Sequence, residues 1–239
     1  MASMPWRLVW SDEFDGMEID RNRWRPEAGY TGESNNELQI YTDRPENIRL
    51  ENGQLVLEAR KEAYAGHGYT SGRLTTVDLH AWTYGRFEAR IKISYGQGMW
   101  PAFWLLGDDA SNEGWPECGE IDIMENVGRT PTTIRGTIHG PGYCRDDGIW
   151  ADYTLAEGRF ADDFHLFAIE WEPGQIRWYV DGSLFRTRTP QDVPGPWVFD
   201  HPFFLILNLA VGGQWPGYPD DTTIFPQFMV VDYVRVYQR

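Results

Sequence analysis

Three carboxylates, Glu120, Asp122 and Glu125, lie within six residues in the segment GEIDIMENVG. Carboxylates this close shift one another's pKa values, so that one group can stay ionised while another keeps its proton. Such a set can supply a nucleophile or base together with a general acid. The same cluster is also typical of a charged edge strand or of a Ca²⁺ site. The apolar residues Ile121 and Ile123 indicate a buried reverse face, which favours a catalytic cleft over an open edge.

Residue periodicity tests whether the three carboxylates can act together. In a helix they would not share a face. In a regular strand Glu120 and Asp122 share one face and Glu125 points to the other, whereas a β-bulge near Ile123 or Met124 would return Glu125 to the first face. The two glutamate carboxyls could then approach the separation of about 5.5 Å that retaining glycosidases use. Asp122 would lie between them and share a proton or a hydrogen bond with one of them.

The surrounding sequence predicts the strands that must position this cluster. The segment GRFEARIKIS alternates apolar and polar residues, and an Asn-Gly pair in NIRLENGQLVLEAR predicts a hairpin. The 25 Gly and 15 Pro interrupt the chain too often for long helices, although a short helix is predicted near residues 159–165 or 190–198. The pattern predicts an all-β fold, a sandwich of two antiparallel sheets.

The segment TTIRGTIHG, which ends beside His139, follows the cluster along the chain. If Gly128 and the residues after it make the turn, this strand runs antiparallel to the cluster and places His139 near Glu120. A lone histidine is often structural, so both a structural and a supporting catalytic role stay open. The same pairing brings Cys144 toward Cys118, which form either one disulfide or two thiols.

Composition limits the class of protein. The 239 residues suffice for one domain with a sizeable core, which we predict to span residues 1–239. Aromatic residues make up 15%, which fits either a β-rich core or a surface that stacks sugar rings. A formal net charge of −15 disfavours a nucleic-acid partner, which needs a basic patch. No segment has the roughly 18 apolar residues of a membrane helix, so we expect no membrane partner, and we predict a monomer.

The opening residues MASM resemble an added expression start, and the sequence carries no secretory signal. We therefore expect a mature, secreted protein from which the signal has been removed.

Several segments in the same order together resemble glycoside hydrolase family 16, in particular its laminarinase branch of endo-β-1,3-glucanases. These segments are LVWSDEFDG, NNELQIYT, SGRLTT, YGRFEARIKI, GMWPAFWLLG, WPECGEIDIMENVG, NLAVGGQWPG and VDYVRVYQ. The resemblance implies a β-jelly-roll sandwich of two curved sheets with a concave cleft for a β-glucan. It implies that Glu120 is the nucleophile, that Glu125 is the general acid/base and that Asp122 tunes the nucleophile, with no cofactor. The extra residue Met124, which the family's mixed-linkage glucanases lack, favours β-1,3 linkages.

The resemblance also implies residues that bind sugar. They are Asn36, Glu37, Arg73, Trp100, Trp104, Trp115, Asn208, Gln214 and Trp215. The tryptophans are alternatively core residues of the sandwich, and Arg73 alternatively pairs with a carboxylate. A structural Ca²⁺, common in the family, would match Glu13, Gly53 and Asp232; the alternatives are an exposed Glu, a turn Gly and a strand Asp.

Two other functions remain open. The chain could act on another glycan of the family, such as a mixed-linkage glucan or an algal galactan, or transfer sugar chains instead of hydrolysing them. It could also be a lectin-like β-glucan-binding module without catalysis. Such modules would be expected to lose a catalytic carboxylate, and all three are present here.

Overall fold

A computed structural model describes residues 4–239; residues 1–3 of the MASM segment lie outside the described residues. Nearly all of its regular structure is strand. The strands are β1 Arg7–Asp12, β2 Arg25–Pro26, β3 Gln39–Tyr41, β4 Ile48–Glu51, β5 Gln54–Tyr64, β6 His67–Ser71, β7 Arg73–Thr75, β8 Gly85–Lys92, β9 Met99–Gly107, β10 Glu120–Glu125, β11 Thr133–His139, β12 Ile149–Thr154, β13 His165–Glu172, β14 Gln175–Val180, β15 Ser183–Arg188, β16 Phe203–Val211 and β17 Gln227–Gln238. The helical elements are α1 Ala110–Glu113 and the 3₁₀ turns Glu33–Asn35, Arg145–Asp147 and Pro190–Asp192.

The strands form two sheets. A ten-stranded sheet has the order β15-β14-β13-β8-β17-β5-β6-β3, with β1 also paired to β17 and β4 to β5. A seven-stranded sheet has the order β12-β11-β10-β9-β16-β7-β2. Within residues 4–239 the pairings between strands are antiparallel except for the parallel pair β3–β6. The predicted all-β, two-sheet architecture is confirmed.

Alternation along the strands places one face of each sheet in a shared core. Phe103 and Leu105 of β9 are fully buried, and so are Phe87 of β8 and Trp171 of β13 from the other sheet. Because side chains alternate, the even-numbered residues of β9, such as Trp104, lie on the outer face of the seven-stranded sheet. The core therefore anchors the strands that carry the candidate site.

The predicted short helices are wrong in length or absent. Residues 159–162 form only turns, where Arg159 binds Asp162 through a local ion pair, and strand β13 begins at His165. Residues 190–198 contain a single 3₁₀ turn closed by the side chains of Thr189 and Asp192. Both segments are too short for a stable helix, and residues 190–198 also contain three Pro and one Gly. Among residues 4–239, none of the helices is long and apolar enough to cross a bilayer.

The cysteines are two thiols, so the disulfide alternative is wrong. Cys118 is buried and Cys144 is partly buried, and both are free. Cys118 precedes β10 and its carbonyl packs against Gly107 at the end of β9, whereas Cys144 begins the 3₁₀ turn Arg145–Asp147.

Candidate active site

Strand β10 contains the β-bulge that the sequence predicts. Toward β9, Asp122 pairs with Trp104 and Met124 pairs with the next residue, Phe103, so that Ile123 is the extra residue. Both Ile123 and Met124 pack into the core. As a result Glu125 returns to the face that carries Asp122 and Glu120. We call this outer face of the seven-stranded sheet the site face.

The register across five strands sets Glu125 in a row of polar side chains. Glu125 of β10 lies between Arg135 of β11 and Ala102 of β9. Ala102 is followed by Asn208 of β16, and Asn208 by Arg73 of β7. The small Ala102 leaves room above the sheet beside the acid, and polar groups stand on both sides of that gap.

Two further rows run parallel to the first. In one, Thr137 of β11, Asp122 and Trp104 are cross-strand neighbours, and in the other His139 is paired directly with Glu120. The predicted position of His139 is confirmed. This pairing also explains why Thr137 belongs to the site, since it occupies the same strand face two residues before His139.

Asp122 is the most deeply buried carboxyl of the cluster, with 2% of its surface exposed. Burial raises its pKa well above the usual range, and the charges of Glu120 and Glu125 raise it further. Its side chain is hydrogen bonded to Glu120. The atom Oδ2 of Asp122 has no hydrogen-bond partner among the described residues and faces Nε2 of His139 at 3.3 Å. Burial lowers the pKa of His139, which favours the neutral imidazole.

Glu125 keeps its proton at neutral pH. Burial raises its pKa, and the charge of Glu120 adds to this, to a value of about 8. The indole N–H of Trp100 donates to Oε1 of Glu125 at 3.0 Å and opposes the shift, as do Arg135 and Thr137. The geometry therefore offers a protonated acid beside Glu120 under conditions in which an ordinary Glu is ionised.

Glu120 lies at the mouth of the cluster and is held by Trp115. The indole N–H of Trp115 donates to Oε2 of Glu120 at 2.6 Å. The Trp115 ring is partly exposed, lies 6.0 Å from the His139 ring and carries the guanidinium of Arg145 above it at 5.4 Å. Trp115 is therefore both a hydrogen-bond donor to a carboxylate and an accessible ring.

The remaining predicted tryptophans lie on the site face and its border. Trp104 donates its indole N–H to Oδ1 of Asn208 at 2.7 Å. Trp215 packs edge-on against Trp100 with ring centroids 5.4 Å apart. All three rings are partly exposed, and none belongs to the buried core. The core alternative for these tryptophans is wrong.

Arg73 forms an ion pair with a carboxylate, which was the alternative to sugar binding, and it also lies beside the site. It is buried and binds the carboxylate of Glu27, and its guanidinium lies 5.0 Å from the Trp104 ring and 4.8 Å from the Tyr30 ring. Asn208 also donates to the hydroxyl of Tyr41 at 3.1 Å. Arg73 and Asn208 are thus connected through Trp104 and through Tyr30 and Tyr41, and the sequence argument did not single out the two tyrosines.

Two loops at the end of this row bring the other predicted binding residues together. Asn36 is exposed and has a positive φ of 56° after the 3₁₀ turn. Glu37 accepts hydrogen bonds from Asn35 at 3.0 Å and Gln39 at 2.6 Å, and burial raises its pKa. The backbone N–H of Gln214 donates to the carbonyl of Asn35 at 3.0 Å, so Gln214 borders the same loop.

The residues predicted for Ca²⁺ lie on the other sheet. Glu13 receives two hydrogen bonds from Arg235, at 3.0 and 2.8 Å. Asp232 receives one from Arg90 at 2.8 Å. Gly53, with a φ of 72°, makes the predicted hairpin turn between β4 and β5. Both carboxylates are paired with guanidinium groups, which is unfavourable for a site built from their side chains.

One group of side chains on the site face could hold a cation. The ligand atoms of Glu120, Asp122 and His139 lie within 4.8 Å of one another. A histidine among the ligands fits a Zn²⁺-type ion better than Ca²⁺, which prefers oxygen. Geometry alone therefore permits either a cation or a proton-sharing catalytic group.

Comparison with known proteins decides the family. The family described as glycosyl hydrolases family 16 matches residues 35–235. This chain belongs to family 16. A β-glucanase from Rhodothermus marinus is 46% identical over 98% of this chain and 85% of its own length. A glucan endo-1,3-beta-glucosidase A1 from Niallia circulans is 39% identical over 97% of this chain, which spans only 38% of that relative.

Solved structures of family 16 members share the fold. The laminarinase catalytic domain from Thermotoga maritima MSB8 superposes with a TM-score of 0.94 and 49% sequence identity over 99% of each chain. The predicted jelly-roll sandwich is confirmed by this likeness. Family 16 glycosidases need no cofactor for their chemistry, which favours the catalytic interpretation of the carboxylate group over the cation site.

Sequence reasoning missed several residues on or beside the site face that the strand register reveals. Arg135 and Thr137 precede His139 by four and two residues, so the period of a strand was a signal that could have found them. Tyr30 lies against Arg73 and Tyr41 accepts from Asn208; both tyrosines are distant in sequence from β10, and only the tertiary pairing places them there.

Proposed function

We propose that this family 16 chain is a retaining endo-β-1,3-glucanase that hydrolyses internal bonds of laminarin-type β-glucans. The observation that carries the proposal is the bulge in β10, which turns Glu120 and Glu125 onto one face while burial keeps Glu125 protonated up to a pKa of about 8. The names of the relatives, β-glucanase and endo-1,3-β-glucosidase, support the same substrate class.

The reaction proceeds in two displacements. The carboxylate of Glu120 attacks the anomeric carbon, while Glu125 gives its proton to the glycosidic oxygen and the leaving chain departs. Glu125, now ionised, takes a proton from water, and the hydroxide oxygen displaces Glu120 from the anomeric carbon. Glu120 and Glu125 end in their starting protonation states, and the product keeps the β-configuration.

Asp122 and His139 assist this cycle without contacting the anomeric carbon. Burial raises the pKa of Asp122 and so favours its protonated form, which donates a hydrogen bond to Glu120 without adding a second negative charge beside the nucleophile. Burial lowers the pKa of His139 and favours its neutral form, and Nε2 of His139 lies 3.3 Å from Oδ2 of Asp122. Trp115 and Trp100 then orient the two reacting glutamates through their indole N–H groups.

Incubation with laminarin, curdlan and barley glucan tests the proposal. We expect rapid release of oligosaccharides from laminarin, with the β-anomer formed first when the products are followed by NMR. Exclusive cleavage of barley glucan would replace the β-1,3 assignment by a mixed-linkage one, and initial α-anomer would contradict the two-displacement mechanism. Binding of laminarin without any cleavage would support the lectin-like module instead.

Three further properties belong to the proposal. A polymeric substrate is met outside the cell, so we propose a secreted enzyme, tested by locating the activity in culture medium of the source organism. We propose a monomer, tested by its mass in solution. For Ca²⁺ at Glu13, Gly53 and Asp232, main-chain oxygens would have to replace the carboxylates that bind arginine. A rise in Tm with Ca²⁺ that EDTA reverses would support this ion, and an unchanged Tm would reject it.

A further inference from the structure

An exposed tryptophan on the edge strand of the seven-stranded sheet has no part in the mechanism above. Trp150 of β12 is paired with Thr137 of β11, so it lies on the site face one strand beyond the catalytic rows. Its side chain is 46% exposed. An exposed aromatic ring that borders a cleft is a candidate contact for a ligand.

The Trp150 ring is held in a defined position. The guanidinium of Arg135 lies over the ring at 3.9 Å from its centroid. Arg135 is in turn fixed by Asp152, which accepts from Nε at 2.7 Å and from Nη2 at 3.1 Å. The carbonyl of Trp150 accepts from Arg188 of the other sheet at 2.9 Å. We call Trp150, Arg135 and Asp152 the β12 flank. An immobilised ring loses little entropy when a ligand binds to it.

The β12 flank is continuous with the catalytic acid. The guanidinium of Arg135 also lies 5.3 Å from the Trp215 ring, and Trp215 packs against Trp100, which donates to Glu125. Adjacent strands are about 4.8 Å apart, so β12 lies roughly 10 Å from β10. A short stretch of polysaccharide spans that distance.

The position of the flank separates it from the predicted sugar-binding residues. Arg73 and Asn208 lie on the opposite side of β10, on β7 and β16. A polymer that crosses the strands above Glu120 and Glu125 must pass over β11 and β12 after it leaves the catalytic pair. Trp150 is an exposed flat ring on this path.

We propose that the β12 flank is a sugar-binding subsite, in which Trp150 stacks one pyranose ring of the glucan chain. This inference rests on the proposed function and extends it, because it predicts that the enzyme prefers chains long enough to reach from the catalytic pair to β12. The axial C–H groups of a β-glucose ring form an apolar face that matches an indole. Arg135 lies over the indole, the exposed part of the ring is available to the sugar, and Arg135 and Asp152 are positioning residues.

The experiment measures kcat and KM for Trp150→Ala on a ladder of β-1,3-gluco-oligosaccharides and on laminarin. Truncation of a well-packed aromatic contact typically costs more than 1 kcal/mol, and about 1.4 kcal/mol is a tenfold change. We therefore expect kcat/KM to fall about tenfold on long chains, mainly through KM, and to stay unchanged on the shortest chains cleaved. Trp150→Phe, which keeps a ring, should retain most of the wild-type value.

A matched control comes from the other sheet. Tyr64 is 38% exposed and carries the guanidinium of Arg44 at 4.2 Å, so it repeats the exposed ring and stacked arginine far from the site. Tyr64→Ala should leave kcat/KM unchanged at every length. Equal activity of Trp150→Ala and wild type at every chain length would overturn the subsite, and so would a loss that is the same for the shortest and longest chains.

Binding to an inactive background separates this inference from the proposed function. In Glu120→Gln, the added change Trp150→Ala should raise the dissociation constant of a long β-1,3-oligosaccharide by about the same tenfold factor. Failure of the wild type to cleave laminarin would reject the function. Unchanged binding in the double variant would reject the subsite, whatever the catalytic result.

Discussion

Glu125 on the site face and Glu170 on the outer face of the ten-stranded sheet show how the same side chain is used in opposite ways. Burial tends to raise the pKa of both. For Glu170 a hydrogen bond from Tyr179 at 2.9 Å and the guanidinium groups of Arg177 and Arg86 outweigh burial, so its pKa is lowered. For Glu125 burial is the largest effect and the negative charge of Glu120 adds to it, so the pKa rises to about 8. The sign of the neighbouring charge decides the outcome.

The difference extends to the whole of each face. On the ten-stranded sheet, Glu58 is buried but accepts from Arg49 at 2.7 Å and from Arg60 at 2.6 Å. On the site face, Asp122 is equally buried and has a carboxylate as its hydrogen-bonding neighbour. On a face where carboxylates are paired with arginines, the charges contribute to stability. On a face where carboxylates lie beside one another, their pKa values rise, and they hold protons that can be transferred. The contrast predicts four measurable differences.

The largest expected effect comes from removing one catalytic charge. Glu120→Gln or Glu125→Gln should lower kcat on laminarin by at least about 10³-fold, because one displacement loses its nucleophile or its acid. Glu170→Gln is the matched control and should keep kcat within about twofold. Reducing-end release measures all three. Wild-type turnover in either site variant would show that the replaced glutamate is not catalytic.

A smaller loss is expected at His139, which acts through Asp122. His139→Leu should lower kcat about tenfold with little change in KM, because Oδ2 of Asp122 loses the imidazole nitrogen that lies 3.3 Å away. His165→Gln is the control, since His165 pairs with Asp181 at 2.7 Å away from the site. A change confined to KM, or an equal loss in the control, would show that His139 does not position the catalytic group.

Stability should respond to pH in opposite directions on the two faces. The raised pKa of Glu125 means that the folded chain binds a proton that the unfolded chain releases between pH 4.5 and about 8, so its contribution becomes less favourable as pH rises through this window. Glu125→Gln should therefore gain Tm relative to wild type, by about 5 °C at pH 8 and less at pH 5.

Glu170 gives the opposite sign in the same measurement. Its pKa is lowered in the fold, so its stabilising contribution is present above pH 4.5 and is lost only as pH falls through the folded value. Glu170→Gln should therefore lower Tm at pH 8. If the difference in Tm between Glu125→Gln and wild type becomes smaller from pH 5 to pH 8, the assigned protonation of Glu125 is contradicted.

The smallest effect should be a shift of the pH profile with little loss of activity at the optimum. Trp100→Phe removes an N–H that lowers the pKa of Glu125, so the basic limb of kcat/KM should move to higher pH, with kcat at the optimum within about threefold. Trp104→Phe removes a donor that binds Asn208 instead and should leave that limb in place. Equal shifts in both variants would assign the effect to packing rather than to the hydrogen bond.

Much of the site could be predicted because it depends on local periodicity. The spacing of Glu120, Asp122 and Glu125 requires one extra strand residue if all three share a face, and the bulge at Ile123 supplies it. The turn after Gly128 likewise pairs His139 with Glu120. Short-range patterns of this kind need only the two-residue period of a strand and a turn.

Partners that come from distant segments could not be predicted in this way. Arg73 was identified, but its pairing with Glu27 depends on a loop 46 residues away. Trp150 was missed because nothing around it in sequence distinguishes it from a core aromatic. The short helices predicted near residues 159–165 and 190–198 were wrong because helix propensity is a weak preference, and the strands on either side of each segment override it.

The sequence by itself determined which side chains share a face of strand β10, because alternation and the inserted residue act within a few residues of one another. It also determined the family, since the motifs occur in order along the chain. Only the tertiary structure decided which of those carboxyls are buried, which arginines neutralise the carboxylates of the other sheet, and which rings border the site. Burial and pairing depend on residues brought together from across the chain, and these set the pKa of Glu125 and so its capacity to act as an acid.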